Sequence, residues 1–272
     1  MNYFKYIAIL VLAIFVAGCE DVVEVDLNTA GPRLVIDASI DWIKGTDGSV
    51  QTIKLTTTTG FYEDEVPVVS GATITVADSN DVIFEFIENP GTGQYVCTDF
   101  VPVVGEQYVL TVITDGQIYT ATESLFAAPD ITGVEQENDG GFGGEDKQIK
   151  FFFDDNPAQD NFYMTAFETS ITAFPEYGVY DDEFTQGNQN FGLYLNGDLQ
   201  AGDQMTFYLF GISQRYMNYM SILIEVSQGG GSPWSAPPTN VRGNIVNQTD
   251  SHNFALGYFR LSQVDTMEYT VE

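Results

Sequence analysis

Apolar residues along the chain fall into three patterns. Ile7 to Ala17 (IAILVLAIFVA) is one unbroken apolar run. A membrane-spanning helix needs about twenty such residues, so this run is too short to span and suits the core of a secretory signal. From Pro32 the chain changes to short strand-like runs separated by turn signals. The first is 33–40. Residues 50–56 alternate with period two, placing Val50, Thr52 and Lys54 on one face and Gln51, Ile53 and Leu55 on the other. Similar runs follow at 72–77, 82–87, 94–98, 107–113 and 118–123. The last two flank Asp115-Gly116, a strong hairpin dipeptide. Seven short strands at this spacing predict an antiparallel β-sandwich of immunoglobulin-like type.

Ala127-Ala128-Pro129 closes that set, which predicts a domain boundary near 128. The glycine-rich stretch 138–146 then reads as flexible, either a linker or a long hairpin loop at the entry of a second domain. Strand candidates beyond it are 148–153, 162–172, 191–195, 204–211, 255–261 and 267–271. One segment has the third pattern. Ser213 can cap a helix from Gln214 to about Ser227, with Tyr216, Met220, Leu223 and Ile224 at helical spacing. The expected fold is therefore mainly β. An N-terminal immunoglobulin-like antiparallel sandwich (32–128) is followed by a β-rich domain (129–272) with one helix near 213–228.

The start of the chain adds an address. Lys5 supplies a short basic segment before the apolar run, and Ala17-Gly18 precede Cys19. This order resembles a lipobox, implying removal of residues 1–18, acylation of Cys19 with chains such as palmitate, and a tether over 19–31. Several buried alkyl chains, at about 0.8 kcal/mol per methylene, anchor a protein without a span. Glu20 and Asp21, directly behind Cys19, resemble the surface-export signal of Bacteroidota lipoproteins. They favour the outward face of the outer membrane over a periplasm-facing placement.

Composition narrows the chemistry. There are 39 acidic and 9 basic residues, a net charge of −30, spread over both halves of the chain. Such a surface repels nucleic acid and anionic lipid. With Cys19 acylated, Cys97 has no disulfide partner, and its strand-like setting reads as a buried small hydrophobe. The single histidine, His252, lies in a polar turn, so a nucleophile–histidine arrangement lacks support. Zinc would need clustered His and Cys ligands, which the chain does not supply. Calcium needs only oxygen ligands. Asp154, Asp155 and Asp160 crowd one connection and Asp181, Asp182 and Glu183 another; these are the candidate cation ligands, although turn and solvation roles also account for them. Trp234, in the flexible GGGSPWSAPP context, is a candidate partner contact.

Several stretches also carry a family resemblance. They are Cys19-Glu20-Asp21-Val22, Pro32 to Ala38 (PRLVIDA), Val69 to Val76 (VSGATITV), Val104 to Val112 (VGEQYVLTV), Tyr180 to Phe184 (YDDEF), Pro237 to Ile245 (PPTNVRGNI) and Ala255 to Phe259 (ALGYF). In this order and spacing they are similar to the Bacteroidota lipoprotein family known as domain of unknown function 4249. The resemblance implies a lipoprotein encoded beside a TonB-dependent outer-membrane receptor, and it brings no catalytic residues. The expected function is non-catalytic: a partner of such a receptor that captures substrate or covers the barrel mouth. A structural or adhesive envelope protein is the alternative. A glycan hydrolase, needing a carboxylate pair about 5–10 Å apart, ranks last.

Overall fold

The computed structural model describes residues 31–60, 63, 65–141, 143–144, 146–227 and 241–272. The alternating runs of the first half form β1 (Leu34–Ile43), β2 (Gln51–Thr57), β3 (Thr73–Ala77), β4 (Ile83–Asn89), β5 (Gln94–Cys97), β6 (Gln107–Thr114) and β7 (Gln117–Phe126). Asp115 and Gly116 both take positive φ, as a tight hairpin between β6 and β7 requires. The second half contributes β8 (Ile131–Gly140), β9 (Asp146–Asp154), β10 (Phe162–Thr169), β11 (Glu176–Asp181), β12 (Gln189–Asn196), β13 (Gln204–Ile212), helix α1 (Gln214–Ser227), β14 (Val246–Asn247) and β15 (Leu256–Thr270).

One sheet runs β11-β10-β13-β15-β1-β2-β5-β4-β3-β6-β7-β14, and β15 also pairs with β7. Eight strands, β15 and β1 to β7, therefore close into a ring. Alternate residues from these strands fill it: Ile36, Ile40, Ile53, Leu55, Val76, Tyr95, Leu110, Val112, Phe259 and Leu261 are all buried. A second sheet, β12-β9-β8, packs its apolar face on β10, β13 and the end of β15. Phe151, Phe167 and Phe207 meet there, with Phe151 and Phe207 stacked at 4.6 Å between centroids. The opposite face of β10 and β13 is covered by α1 through Tyr216, which explains why five consecutive residues of β10 are buried. Ser213 caps α1 as expected, its Oγ accepting from the Tyr216 amide at 3.2 Å.

Several expectations need correction. The candidates 255–261 and 267–271 form a single fifteen-residue strand, β15. Its first part pairs with β1 over Val35↔Leu256 to Ile43↔Val264, while its second part pairs with β13. The contacts of β15 with β1 and β7 are parallel, so the first sandwich is not antiparallel throughout. A parallel neighbour requires a crossover connection, and here the whole second half of the chain provides it. The point near 128 falls between two cores, yet the sheet crosses it, and Pro32–Glu272 forms one compact unit. The glycine-rich stretch spans the end of β8 and the start of β9, which pair as a hairpin, the second of its two expected readings, while β8 itself is too polar to read from alternation.

Gly257 marks where β15 enters the ring. Its φ is +94°, and a Cβ there would lie 2.0 Å from the carbonyl oxygen of Ile36. Gly257→Ala combines a disfavoured backbone with a backbone clash, so a loss of at least about 2 kcal/mol is expected. The urea midpoint checks it: an unchanged midpoint would remove Gly257 as a packing constraint.

Candidate functional site

The two acidic connections do come together. Asp155, after β9, is buried and accepts from the Tyr163 hydroxyl at 2.6 Å and the Gly187 amide at 2.7 Å. Asp182, after β11, is buried and accepts from the Asn161 amide at 2.8 Å and its side-chain Nδ2 at 3.3 Å. Each carboxylate thus ties one connection to the other, with oxygens engaged by protein donors. Burial, reinforced by the bond to Asp155 and that carboxylate's charge, pushes the Tyr163 hydroxyl well above its ordinary pKa. Asp154, Asp160, Asp181 and Glu183 are exposed. Asp181 lines a cleft of about 260 Å³ with Tyr180 and Phe191. Among the described residues, no group of three or more His, Cys, Asp or Glu side chains is placed to hold a metal ion. Cys19, Glu20, Asp21 and Trp234 lie outside the described residues.

Cys97 is buried in the ring and donates to Asp99 at 3.1 Å. Burial pushes its thiol from 9.0 up to about 11. The native state keeps a proton that the unfolded chain releases first, so this contribution to stability is full below about pH 9 and is lost as pH rises towards 11. Burial raises Tyr108 and Tyr119 in the same direction. The urea midpoint is expected to fall between about pH 8.5 and 11. A flat profile across that window would contradict it. His252 is exposed on the turn before β15, 3.3 Å from Asp250.

A different candidate site is marked by arginines. The chain has four: Arg33, Arg215, Arg242 and Arg260. Arg260 is buried and bonded to Asp41 at 2.6 and 3.1 Å. The other three converge at the entry of β15. The register Val35↔Leu256 sets Arg33 beside Phe254, whose ring centroid lies 4.0 Å from the Arg33 guanidinium carbon and 3.6 Å from that of Arg242. Two guanidinium groups that close to one centroid must occupy opposite faces of the ring. Arg242 is held in place by its neighbours. Gly243 packs so closely that a Cβ would meet the Gly257 carbonyl at 1.8 Å. Asn244 then exchanges two bonds with the Phe259 backbone, each 2.9 Å.

Helix α1 forms the facing wall. Arg215, Asn218, Tyr219 and Ile222 fall three or four residues apart and so share one helical face. Among the described residues they line, with Val241, Arg242, Gly243 and Tyr258, an open cavity of about 340 Å³. The tyrosines are fixed: Tyr258 packs 4.9 Å from both Tyr216 and Tyr219, and its hydroxyl reaches Glu123 at 3.3 Å. Burial, with Tyr216 and Asp37 nearby, pushes Tyr219 up to about 12, so it stays a neutral hydroxyl at physiological pH. Attention to acidic clusters misses this site. The available signal was the scarcity of arginine, three of whose four copies stand just before β1, in the first turn of α1 and just before β14.

The sequence profile of a family described as domain of unknown function (DUF4249) matches residues 20–268. No curated protein matches. Among solved structures, the chain is similar to a segment of two fibronectin type-III domains from chicken tenascin, at 11% identity, covering 66% of this chain and 90% of that one, with a TM-score of 0.22. A chain of a cytokine receptor complex matches at 9% identity, 65% and 82% coverage and a TM-score of 0.25. The FN1–FN3 domains of chicken CNTN1 match at 11% identity, 61% and 56% coverage and a TM-score of 0.20.

Proposed function

The chain belongs to the DUF4249 family, and from that premise we propose that it is an outer-membrane lipoprotein, anchored through Cys19, that captures a small molecule for a TonB-dependent receptor. The observation that carries capture, rather than simple covering of a barrel mouth, is the cavity between α1 and the entry of β15. Its 340 Å³ lies within the usual size range of ligand sites, and before any ligand arrives its tyrosines pack on each other and Arg242 is stacked on Phe254. Glu20 and Asp21 support an outward-facing orientation, and the acidic surface suits a protein that stays clear of anionic headgroups.

The fold supports a scaffold of immunoglobulin-like type. The neighbour orders β1-β2-β5-β4 and β3-β6-β7 correspond to the A-B-E-D and C-F-G sheets of such domains, with β15 added to seal the ring. Tyr108, near the start of β6, sends its hydroxyl back to the Val101 carbonyl at 2.8 Å, as a tyrosine corner does. The alternative, a structural or adhesive envelope protein, draws on the same stacked β cores.

Mild-detergent extraction tests the main reading. Tagged wild-type protein is expected to bring down a TonB-dependent barrel, and Cys19→Ser to lose both acyl labelling and membrane retention. Recovery of the wild type free of any barrel would favour the structural alternative. Digestion by protease added to intact cells checks the outward orientation, and full protection would place the protein on the periplasmic side.

A further inference from the structure

We propose that the cavity between α1 and the entry of β15 binds a small organic anion whose carboxylate or phosphate head meets Arg215 and Arg242 while its ring or apolar body lies against Tyr219 and Tyr258. This ligand class belongs to the capture site proposed above and rests on that reading.

Charge distribution is the first support. A chain of net charge −30 has ample carboxylates to pair with its few cations. Lys44, Lys150 and Arg260 each have a carboxylate within ion-pair distance. Among the described residues, no such pair includes Arg33, Arg215, Arg242, Lys54 or Lys147, and of these five Arg215 and Arg242 are the two that line this cavity. Of the carboxylates near the lining, Glu123 is engaged by the hydroxyls of Ser213 and Tyr258 at 3.0 and 3.3 Å, and Asp37, near Tyr219, accepts from the Ser39 hydroxyl at 2.9 Å. Gathering three guanidinium groups at one end of β15 costs mutual repulsion, and an arriving anion removes that cost.

Geometry is the second. Arg242 is stacked on Phe254, so its planar fork is oriented in advance and loses little freedom on binding. Arg215 stands in the first turn of α1, a turn without any acidic residue, so it adds to the positive end of the helix instead of being offset there. Size is the third. A volume of 340 Å³ is on the order of ten times the share of one water, far more than a bare oxyanion fills. Tyr219, Ile222, Val241 and Tyr258 give the remaining space an apolar lining, which calls for an organic body on the anion.

Ligand-observed fluorine NMR on the full chain in mild detergent tests this. The ligands are 4-fluorobenzoate, 4-fluorophenyl phosphate and neutral 4-fluorobenzyl alcohol, each corrected for detergent alone. Saturable binding of at least one anion is expected at roughly 1–10 mM, with the alcohol at least about tenfold weaker. Preference between the two anions then identifies the head group. Arg215→Gln, an exposed helix position that should leave the fold intact, is expected to weaken the anion about tenfold or more. Arg242→Lys keeps the charge but loses the fork and should weaken it as well. Alcohol binding as tight as the anion, or undiminished anion binding in Arg215→Gln, would overturn the assignment, as would no saturable binding of either anion. Barrel co-purification from the same preparations is read separately. Anion binding without a barrel would sink only the receptor partnership, and a barrel without anion binding only the ligand class.

Discussion

Asp41→Ala is expected to destabilise the protein by about 3–5 kcal/mol, and Arg260→Met by clearly less. The asymmetry comes from burial. Arg260 on β15 has only 5% of its side chain exposed, whereas Asp41 on the adjacent β1 has 35%. Burial by itself would depress the arginine's pKa, but the Asp41 carboxylate at 2.6 Å outweighs it and holds the guanidinium above its ordinary value. Removing Asp41 leaves a desolvated cation without a bonded carboxylate, with the rings of Phe210 and Tyr216 at 5.1 and 5.2 Å and Asp37 as the remaining nearby negative charge. Removing Arg260 instead leaves a carboxylate that can turn to water, and methionine fills much of the vacated space. The double variant should therefore resemble Arg260→Met and be more stable than Asp41→Ala. Urea denaturation of the three variants decides it. Equal losses in the two single variants would refute the burial argument.

A fragment covering 32–128 is expected not to fold cooperatively, despite containing seven strands. Within the ring, β15 supplies the parallel partner of β1 and closes against β7. Without it, Phe259 and Leu261 are missing from the core, and both edges of the opened ring expose unpaired backbone. Burying two such side chains contributes roughly 3–6 kcal/mol, a large part of the stability of a domain this size. The fragment should show a broad urea transition with a small slope, and the chain ending at Glu272 a steep one. A steep transition from the fragment alone would make the ring a self-sufficient domain and β15 an accessory to it.

The strands of the first half were legible within one to three residues, because alternation is local and each hairpin carries its own turn signal. Asp115-Gly116 is the clearest case. The helix was legible for the same reason: Ser213 and the apolar spacing after it are a local signal. β8 was not legible. Its sequence ITGVEQENDG pairs edge to edge with β9 and packs against the core only through Ile131 and Val134, so polar residues occupy most of it. β15 looked like two strands because Asp265 and Thr266 interrupt the apolar run, at the point where it leaves the ring and joins β13. Asp155, Asp160, Asp182 and Glu183 lie in two connections, with Asp154 and Asp181 ending the strands before them, but composition does not reveal that Asp155 and Asp182 spend their oxygens tying those connections together.

By itself the sequence determined what depends on neighbours along the chain: the apolar run before Cys19, the alternation of β1 to β7, the cap of α1, the acidic balance and the family motifs. Only the tertiary structure decided how β15 joins the two halves and where the arginines meet. Arg33, Arg215 and Arg242 are far apart in sequence, and no local pattern relates them. The parallel register of β1 with β15 brings Arg33 to the Phe254 ring opposite Arg242, and the Asn244–Phe259 bonds and the capped first turn of α1 bring Arg242 and Arg215 to one cavity. Side-chain periodicity is set within a few residues, whereas strand pairing across two hundred residues is set by which apolar faces the whole chain can bury at once.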